Sequence, residues 1–186
     1  MNKILVSIIF YNEIKNIKKT LDQAKTTLYN YLIVDDGSVD GSSEIAKKEK
    51  YTIIQHEKNL GYGKSVKTSL KYAKKKGYKY FVIFPGDNQR RIEDISKMYK
   101  AINSNENLTY VVGSKFHLLK NIPLRRKIGN LFFSKISKFW GNTNKDVLSG
   151  FKIYNVEKSE KIIKACPNDY TFDLIFNFLS SKTNKS

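Results

Sequence analysis

Two short acidic clusters are the parts of this chain best suited to chemistry. Asp35-Asp36-Gly37-Ser38 follows the apolar run Tyr31-Leu32-Ile33-Val34, and Gly86-Asp87-Asn88-Gln89 follows Tyr80-Phe81-Val82-Ile83-Phe84. In an open α/β sheet, ligands sit in the crevice outside the carboxyl ends of the strands, so acids that terminate two β-like runs are expected to face one pocket. A pocket of that kind suits a charged, metal-complexed nucleotide. Moving a sugar off a nucleoside diphosphate needs a divalent cation to neutralise the departing diphosphate, oxygen ligands to hold that cation, and partners for base and ribose. Asp87 and Gln89, two residues apart, would share one face of an extended segment and supply cation ligands. Asp35 and Asp36 are placed to accept hydrogen bonds from a ribose or base, and Gly37 lets the backbone approach closely. Taken singly, each cluster also reads as a simple strand-terminal turn. Two clusters with the glycine loop Asn59-Leu60-Gly61-Tyr62-Gly63 between them weigh against that simpler reading.

The elements that must position these residues follow from apolar periodicity. Lys3 to Phe10 is a nearly continuous β-branched run, the pattern of a strand covered on both faces, and a helix over Ile14 to Thr27 follows it. Tyr29 to Val34 is a second strand, and Ser42 to Lys50 a helix with Asp40 or Ser42 as N-cap. Tyr51 to Gln55 is a short third strand. The glycine loop leads into a helix from Lys64 to Lys76, with Val66, Leu70 and Ala73 at helical spacing and Gly77 as its stop. A strand over Tyr78 to Phe84, a helix carrying Ile92, Ile95, Met98, Tyr99 and Ile102, and a strand over Leu108 to Gly113 come next. Further on, Ile128 to Trp140 is amphipathic and helical, Val147 to Tyr154 is loop then strand, and Val156 to Ala165 and Tyr170 to Ser180 are helices. Repeated β then α predicts an α/β fold, a doubly wound, mostly parallel mixed sheet with helices on both faces, in a single domain over 1–186.

Composition narrows the function classes. A chain of 186 residues with 40% apolar and 13% aromatic content folds around a real core, which excludes a disordered protein. The single Cys166 has no disulfide partner and no Cys or His at metal-ligand spacing, so its expected role is structural. Ile4 to Phe10 is too short to span a bilayer and lacks a cleavage site, which predicts a cytoplasmic protein, peripheral at the inner face of the membrane at most. Thirty-four Lys and Arg against 17 Asp and Glu give a net charge of +17, a field that attracts nucleic acid, anionic lipid or phosphorylated substrates. Biased codon usage also produces lysine-rich chains, so charge alone identifies no partner. Lys47-Lys48 and Lys74-Lys75-Lys76 read as solvated helix ends. His56 and His117 stand isolated in the sequence and read as surface or loop residues. The glycine loop lacks the third glycine of a dinucleotide fingerprint and reads instead as a wall of the donor pocket.

Tyr11-Asn12-Glu13, Val34-Asp35-Asp36-Gly37-Ser38 with Asp40, Asn59-Leu60-Gly61-Tyr62-Gly63-Lys64, Gly86-Asp87-Asn88-Gln89, Gly113-Ser114-Lys115 and Asp146-Val147-Leu148-Ser149-Gly150-Phe151-Lys152 resemble, in order, the signature blocks of family 2 glycosyltransferases. The likeness spans nearly the whole chain and is strongest to the dolichol- and polyprenyl-phosphate sugar transferases. It implies a GT-A fold, a nucleotide-diphosphate sugar donor, Mg²⁺ or Mn²⁺, and inversion at the anomeric carbon. It places Tyr11, Asn12 and Glu13 against the nucleoside, Asp35, Asp36 and Gly37 at base or ribose, Gly61 and Lys64 in the donor pocket, and Asp87 with Gln89 on metal and diphosphate. The family's acceptor is often a lipid phosphate held by basic residues, which points to Lys115, Arg125 and Arg126.

Departures from the family pattern carry expectations too. Pro85 stands where the first acid of an Asp-x-Asp motif is common, which leaves coordination to Asp87, Gln89 and phosphate oxygens. Ile9 and Phe10 replace the usual proline before Tyr11. The strand and basic segment that commonly follow the final helix are missing, as expected of a shortened chain or an incomplete acceptor site. A phosphate acceptor is already an anion and needs positioning more than a base. A sugar hydroxyl would need one, with Asp146 as the candidate; Asp146 reads equally as a cap of the turn before Ser149-Gly150. The sequence thus reads as an inverting transferase using a nucleotide-diphosphate sugar, with a polyprenyl phosphate or surface glycan as acceptor and no specific nucleic-acid partner. The alternative is a non-catalytic basic module that binds nucleic acid or anionic membrane.

Overall fold

The apolar runs pair into one sheet. The computed structural model describes residues 3–105, 107–113 and 149–183. Within them β1 (Ile4–Phe10), β2 (Asn30–Asp35), β3 (Thr52–Gln55), β4 (Tyr80–Pro85), β5 (Tyr110–Val112) and β6 (Lys152–Asn155) form a six-stranded sheet in the order β3-β2-β1-β4-β6-β5. The first four strands in that order are parallel, and β6 runs antiparallel to both β4 and β5. The chain builds outward from β1 to β3 and then resumes on the other side of β1 with β4. The order therefore reverses between β1 and β4, the position at which such a sheet opens a ligand crevice.

Strand alternation explains why β1 is apolar apart from Ser7, whose Oγ lies 2.6 Å from Ser69 Oγ, since successive side chains enter opposite layers. Val6, Ile8 and Phe10 join Ile33, Val82 and Phe84 under α1 (Ile17–Lys25) and α4 (Asp94–Ser104), through Leu21, Ile95 and Met98. Leu5 and Ile9 join Val34, Phe81 and Ile83 under α3 (Tyr62–Lys75), α5 (Val156–Ala165) and α6 (Phe172–Thr183), through Val66, Leu70, Ile163 and Phe176. The short α2 (Ser42–Lys47) contributes Ala46 to the first layer.

Helix starts differ from the expected ones for local reasons. Asn12 adopts a left-handed backbone (φ 54°) and the Glu13 carbonyl accepts from Asn16 N and Ile17 N at 2.9 and 2.8 Å, so a turn precedes α1, which begins at Ile17 rather than Ile14. The N-cap of α2 is Gly41, between the two residues expected to cap it; Asp40 Oδ1 still accepts from Ser42 N at 3.0 Å. The expected helix over Ile128 to Trp140 lies outside the described residues. Among the described residues no helix is long and apolar enough to cross a membrane.

Cys166 closes α5 with its Sγ 3.2 Å from the Ile162 carbonyl, and burial pushes its thiol up to about 12. A thiol reagent at neutral pH is expected to leave the native chain unlabelled and to react fully once urea unfolds it. Stoichiometric labelling of the native chain would contradict this packing.

Candidate active site

Three strand ends meet at one level. Asp36 N donates to the Phe10 carbonyl and Gly86 N to the Ile9 carbonyl, both at 2.9 Å, so the end of β1 is gripped from both sides by the residues that follow β2 and β4. The register, Phe10 opposite Asp35 and Ile9 opposite Pro85, is what sets this level. A cavity of about 190 Å³ opens there, with Tyr11, Glu13, Asp36, Tyr62, Asp87 and Tyr170 among its walls.

The turn that carries Asp87 is fixed from α1. Thr20 Oγ1 donates to the Gly86 carbonyl at 2.9 Å. The Gln23 amide spans the rest, donating to Asn88 Oδ1 at 2.7 Å and accepting from Ile92 N at 3.1 Å. The segment is not extended, as shared-face ligation by Asp87 and Gln89 required. Asp87 Oδ1 captures Gln89 N at 3.0 Å, Asn88 takes a left-handed backbone (φ 55°), and Gln89 is exposed and absent from the cavity wall. Local side-chain capture of a backbone N–H is what Asp does at strand ends. Arg90 then leaves the turn in the other direction, donating to the Gly113 carbonyl at 2.9 Å and to Ser149 Oγ at 2.8 Å.

Asp36 is 4% exposed and lies at the centre of a hydrogen-bond network. Its Oδ1 accepts from Leu60 N at 3.0 Å and meets His56 Nδ1 at 2.6 Å; its Oδ2 accepts from Gly61 N at 2.9 Å. His56, expected on the surface, is 9% exposed. Its backbone N donates to the Asp35 carbonyl at 2.9 Å, which extends the β2–β3 pairing by one rung and carries the ring to Asp36.

Asp35 points elsewhere. It is fully buried, its Oδ1 accepts from Ser38 N at 2.9 Å, its Oδ2 has no partner among the described residues, and it is absent from the cavity wall. Asn12 ties the loop after β2, its N donating to Ser38 Oγ and its Oδ1 accepting from Val39 N, each at 2.9 Å. The close approach that Gly37 permits is to the chain itself: a Cβ there would lie 2.4 Å from the Lys58 carbonyl carbon, at φ +77°. Gly61 is used the same way, its missing Cβ leaving room for the Asn168 carbonyl at 2.4 Å. Lys64 N donates to that carbonyl at 3.2 Å. The glycine loop thus packs against the turn before α6, and of its residues Tyr62 reaches the cavity.

Behind Tyr62 lies a buried ion pair. Lys152 on β6 is fully buried and donates to Asp173 on α6, itself 6% exposed. The Tyr62 hydroxyl lies 3.3 Å from the Gly150 carbonyl and 3.5 Å from Asp173 Oδ1, and burial together with the Asp173 charge pushes the phenol well above its usual range.

Of the residues singled out in the sequence, then, Tyr11, Glu13, Asp36 and Asp87 share the cavity wall, while Asn12, Asp35, Gly37, Gly61, Lys64 and Gln89 do not. Lys115, Arg125, Arg126 and Asp146 lie outside the described residues. A family model described as glycosyl transferase family 2 matches residues 5–163. The chain belongs to glycosyl transferase family 2.

Relatives agree with that membership. An uncharacterized protein of Methanocaldococcus jannaschii is 34% identical over 97% of this chain and 76% of its own length. The UDP-N-acetylglucosamine–dolichyl-phosphate N-acetylglucosaminyltransferase of Methanococcus voltae is 36% identical over 70% of this chain, which spans 60% of that relative. The crystal structure of glucosyl-3-phosphoglycerate synthase from Mycobacterium tuberculosis in complex with uridine diphosphate matches with a TM-score of 0.72 at 16% identity, over 99% of this chain and 66% of that one. The mixed sheet with its two helical layers is the GT-A fold.

For this family 2 transferase a divalent cation has to be tested against the donors present. Among the described residues no three His, Cys, Asp or Glu side chains could close a metal cage. Asp87 offers one carboxylate at the cavity, with Oδ1 occupied by Gln89 N. That set fits a cation such as Mg²⁺, which binds through one or two carboxylates and takes its remaining ligands from substrate phosphates and water. Sequence reasoning gave no site role to Thr20, Gln23, His56, Arg90 and Asp173, nor to Lys152, which it named at the end of a signature block. The one signal available was charge inside apolar runs, Lys152 between Phe151 and Ile153 and Asp173 between Phe172 and Leu174.

Proposed function

We propose that this family 2 chain transfers a sugar, with inversion, from a nucleoside-diphosphate donor to a polyprenyl phosphate. The observation that carries this reading is the convergence of Asp36 and Asp87, from separate strands, on one cavity at the point where the strand order reverses. Tyr11 and Glu13 meet the nucleoside, Asp36 accepts from ribose or base, and Asp87 is the residue that would hold Mg²⁺ or Mn²⁺. When bound, the cation neutralises charge on the departing diphosphate. An oxygen of the acceptor phosphate attacks the anomeric carbon as the bond to the diphosphate oxygen breaks, and single displacement inverts the centre. The acceptor is anionic beforehand, so the protein's task is orientation and exclusion of water rather than proton removal.

The name of the Methanococcus voltae relative supports the lipid-phosphate acceptor, and Lys115, Arg125 and Arg126 are the cations proposed to hold its phosphate. A lipid acceptor puts the reaction at the inner face of a membrane, where a net charge of +17 suits anionic headgroups.

A thermal-shift screen of UDP and GDP, with and without Mn²⁺, tests the reading. One nucleotide is expected to stabilise the chain in a metal-dependent way, by about 2.7 kcal/mol at a concentration 100 times Kd. That corresponds to a Tm rise on the order of 5–10 °C for a chain of this size. No metal-dependent shift with either nucleotide, together with steeply salt-dependent RNA binding, would replace the transferase by a basic binding module.

A further inference from the structure

The least expected group near the cavity is His56. It belongs to none of the sequence blocks that carry the family resemblance, yet both of its ring nitrogens are engaged and the residue is 9% exposed. Nδ1 lies 2.6 Å from Asp36 Oδ1, and Nε2 lies 2.9 Å from Thr68 Oγ1 on α3. An ionised carboxylate only accepts hydrogen bonds, so the network assigns a proton to Nδ1. The Thr68 hydroxyl can donate or accept and therefore meets Nε2 in either state. His56 thus braces Asp36 against α3, the helix that also supplies Tyr62 and Ser65 to the cavity.

The lone pairs of Asp36 show what the brace does. Oδ1 is filled by Leu60 N and His56 Nδ1. Among the described residues Oδ2 takes only Gly61 N, which leaves it one acceptor site on a residue that lines the cavity. Without His56 the carboxylate would be held by the two loop amides alone and could rotate about its terminal bond, which has broad preferences.

We infer that His56 is a positioning residue for nucleotide binding: its Nδ1–H locks the Asp36 carboxylate so that Oδ2 presents its remaining lone pair to a hydroxyl or N–H of the nucleoside. The inference rests on the nucleotide-donor reading above. It also separates the work of the two acids, Asp36 addressing the nucleoside and Asp87 the diphosphate.

Asparagine and glutamine at position 56 distinguish the two ring nitrogens, since the Asn amide reaches the place of Nδ1 and the Gln amide that of Nε2. UDP and GDP with Mg²⁺, and UMP and GMP without metal, are titrated calorimetrically into the unaltered chain, His56→Asn, His56→Gln and Thr68→Val, and Tm is recorded for each. For the base that binds, His56→Gln is expected to raise Kd by ~10-fold or more, while His56→Asn stays within about threefold of the unaltered chain, as loss or retention of a hydrogen bond to a charged group dictates. The same fold-loss is expected for the monophosphate as for the diphosphate. Thr68→Val, which keeps the Nδ1 bond but frees the ring, is expected to raise Kd by a smaller factor with little change in Tm, and it carries the test if a His56 variant fails to fold. Equal affinity in the Asn and Gln variants, or a loss confined to the diphosphate with metal, overturns the inference and leaves the donor reading standing. Failure of the unaltered chain to bind either nucleotide overturns both.

Discussion

Replacing Asp87 with asparagine is expected to abolish metal-dependent UDP or GDP binding and to lower kcat/KM by ~10²-fold or more, the scale seen when a single charge-stabilising group is removed from a transition state. The substitution isolates charge from structure. An asparagine Oδ1 still accepts from the backbone N of Gln89, so the turn keeps its side-chain capture, and Thr20 and Gln23 still hold that turn from α1. The Tm of the free protein should therefore move little. The effect is large because Asp87 stands at the second acid of the Asp-x-Asp pattern, with Pro85 in the first acid's place, and no described cluster can substitute for it. Isothermal titration of UDP and GDP with and without Mn²⁺ gives the readout. Unchanged affinity in the variant would remove Asp87 from the site.

Removing the buried cation behind Tyr62 should cost as much in stability as Asp87 costs in activity. Lys152→Met takes the buried ammonium away from the Asp173 carboxylate, and breaking a buried pair by removing one member costs about 3–5 kcal/mol. For a chain of this length that is a fall in Tm on the order of 10 °C. Replacing both members by apolar residues of similar volume, Lys152→Met with Asp173→Leu, is expected to recover much of the loss, because the Lys152–Asp173 pair is then removed whole. Urea denaturation of the three chains provides the comparison. A single variant within about 1 kcal/mol of the parent would show that the other contacts of the Asp173 carboxylate hold it, or that it gives up its charge. The two effects should be separable: Lys152 is absent from the cavity wall, and the Tyr62 hydroxyl keeps the Gly150 carbonyl.

Much of the architecture was legible along the chain. β1, β2 and β4 announce themselves as apolar runs because strands covered on both faces send apolar side chains into both layers. The end of α3 was legible because Gly77 accepts a left-handed backbone (φ +73°) that stops it. Starts were harder. Whether Ile14 or Ile17 opens α1 turns on the left-handed Asn12, and no apolar spacing reports a backbone angle. His56 was misplaced because its partner lies 20 residues away, and parallel pairing of β3 with β2 is what closes that gap.

The sequence by itself determined which segments become strands and helices, and that two strands end in acids, because periodicity, glycine turns and short-range capture act over a few residues. The tertiary structure alone decided which of those acids reach the cavity. Asp35 and Asp36 are equivalent in composition, but Asp35 ends the strand and Asp36 follows it, so one is fully buried with an oxygen unmatched among the described residues and the other met His56, Leu60 and Gly61 at the cavity wall. That choice depends on the register of β2 against β1 and on where β3 and α3 come to rest, both consequences of packing two helical layers on one sheet.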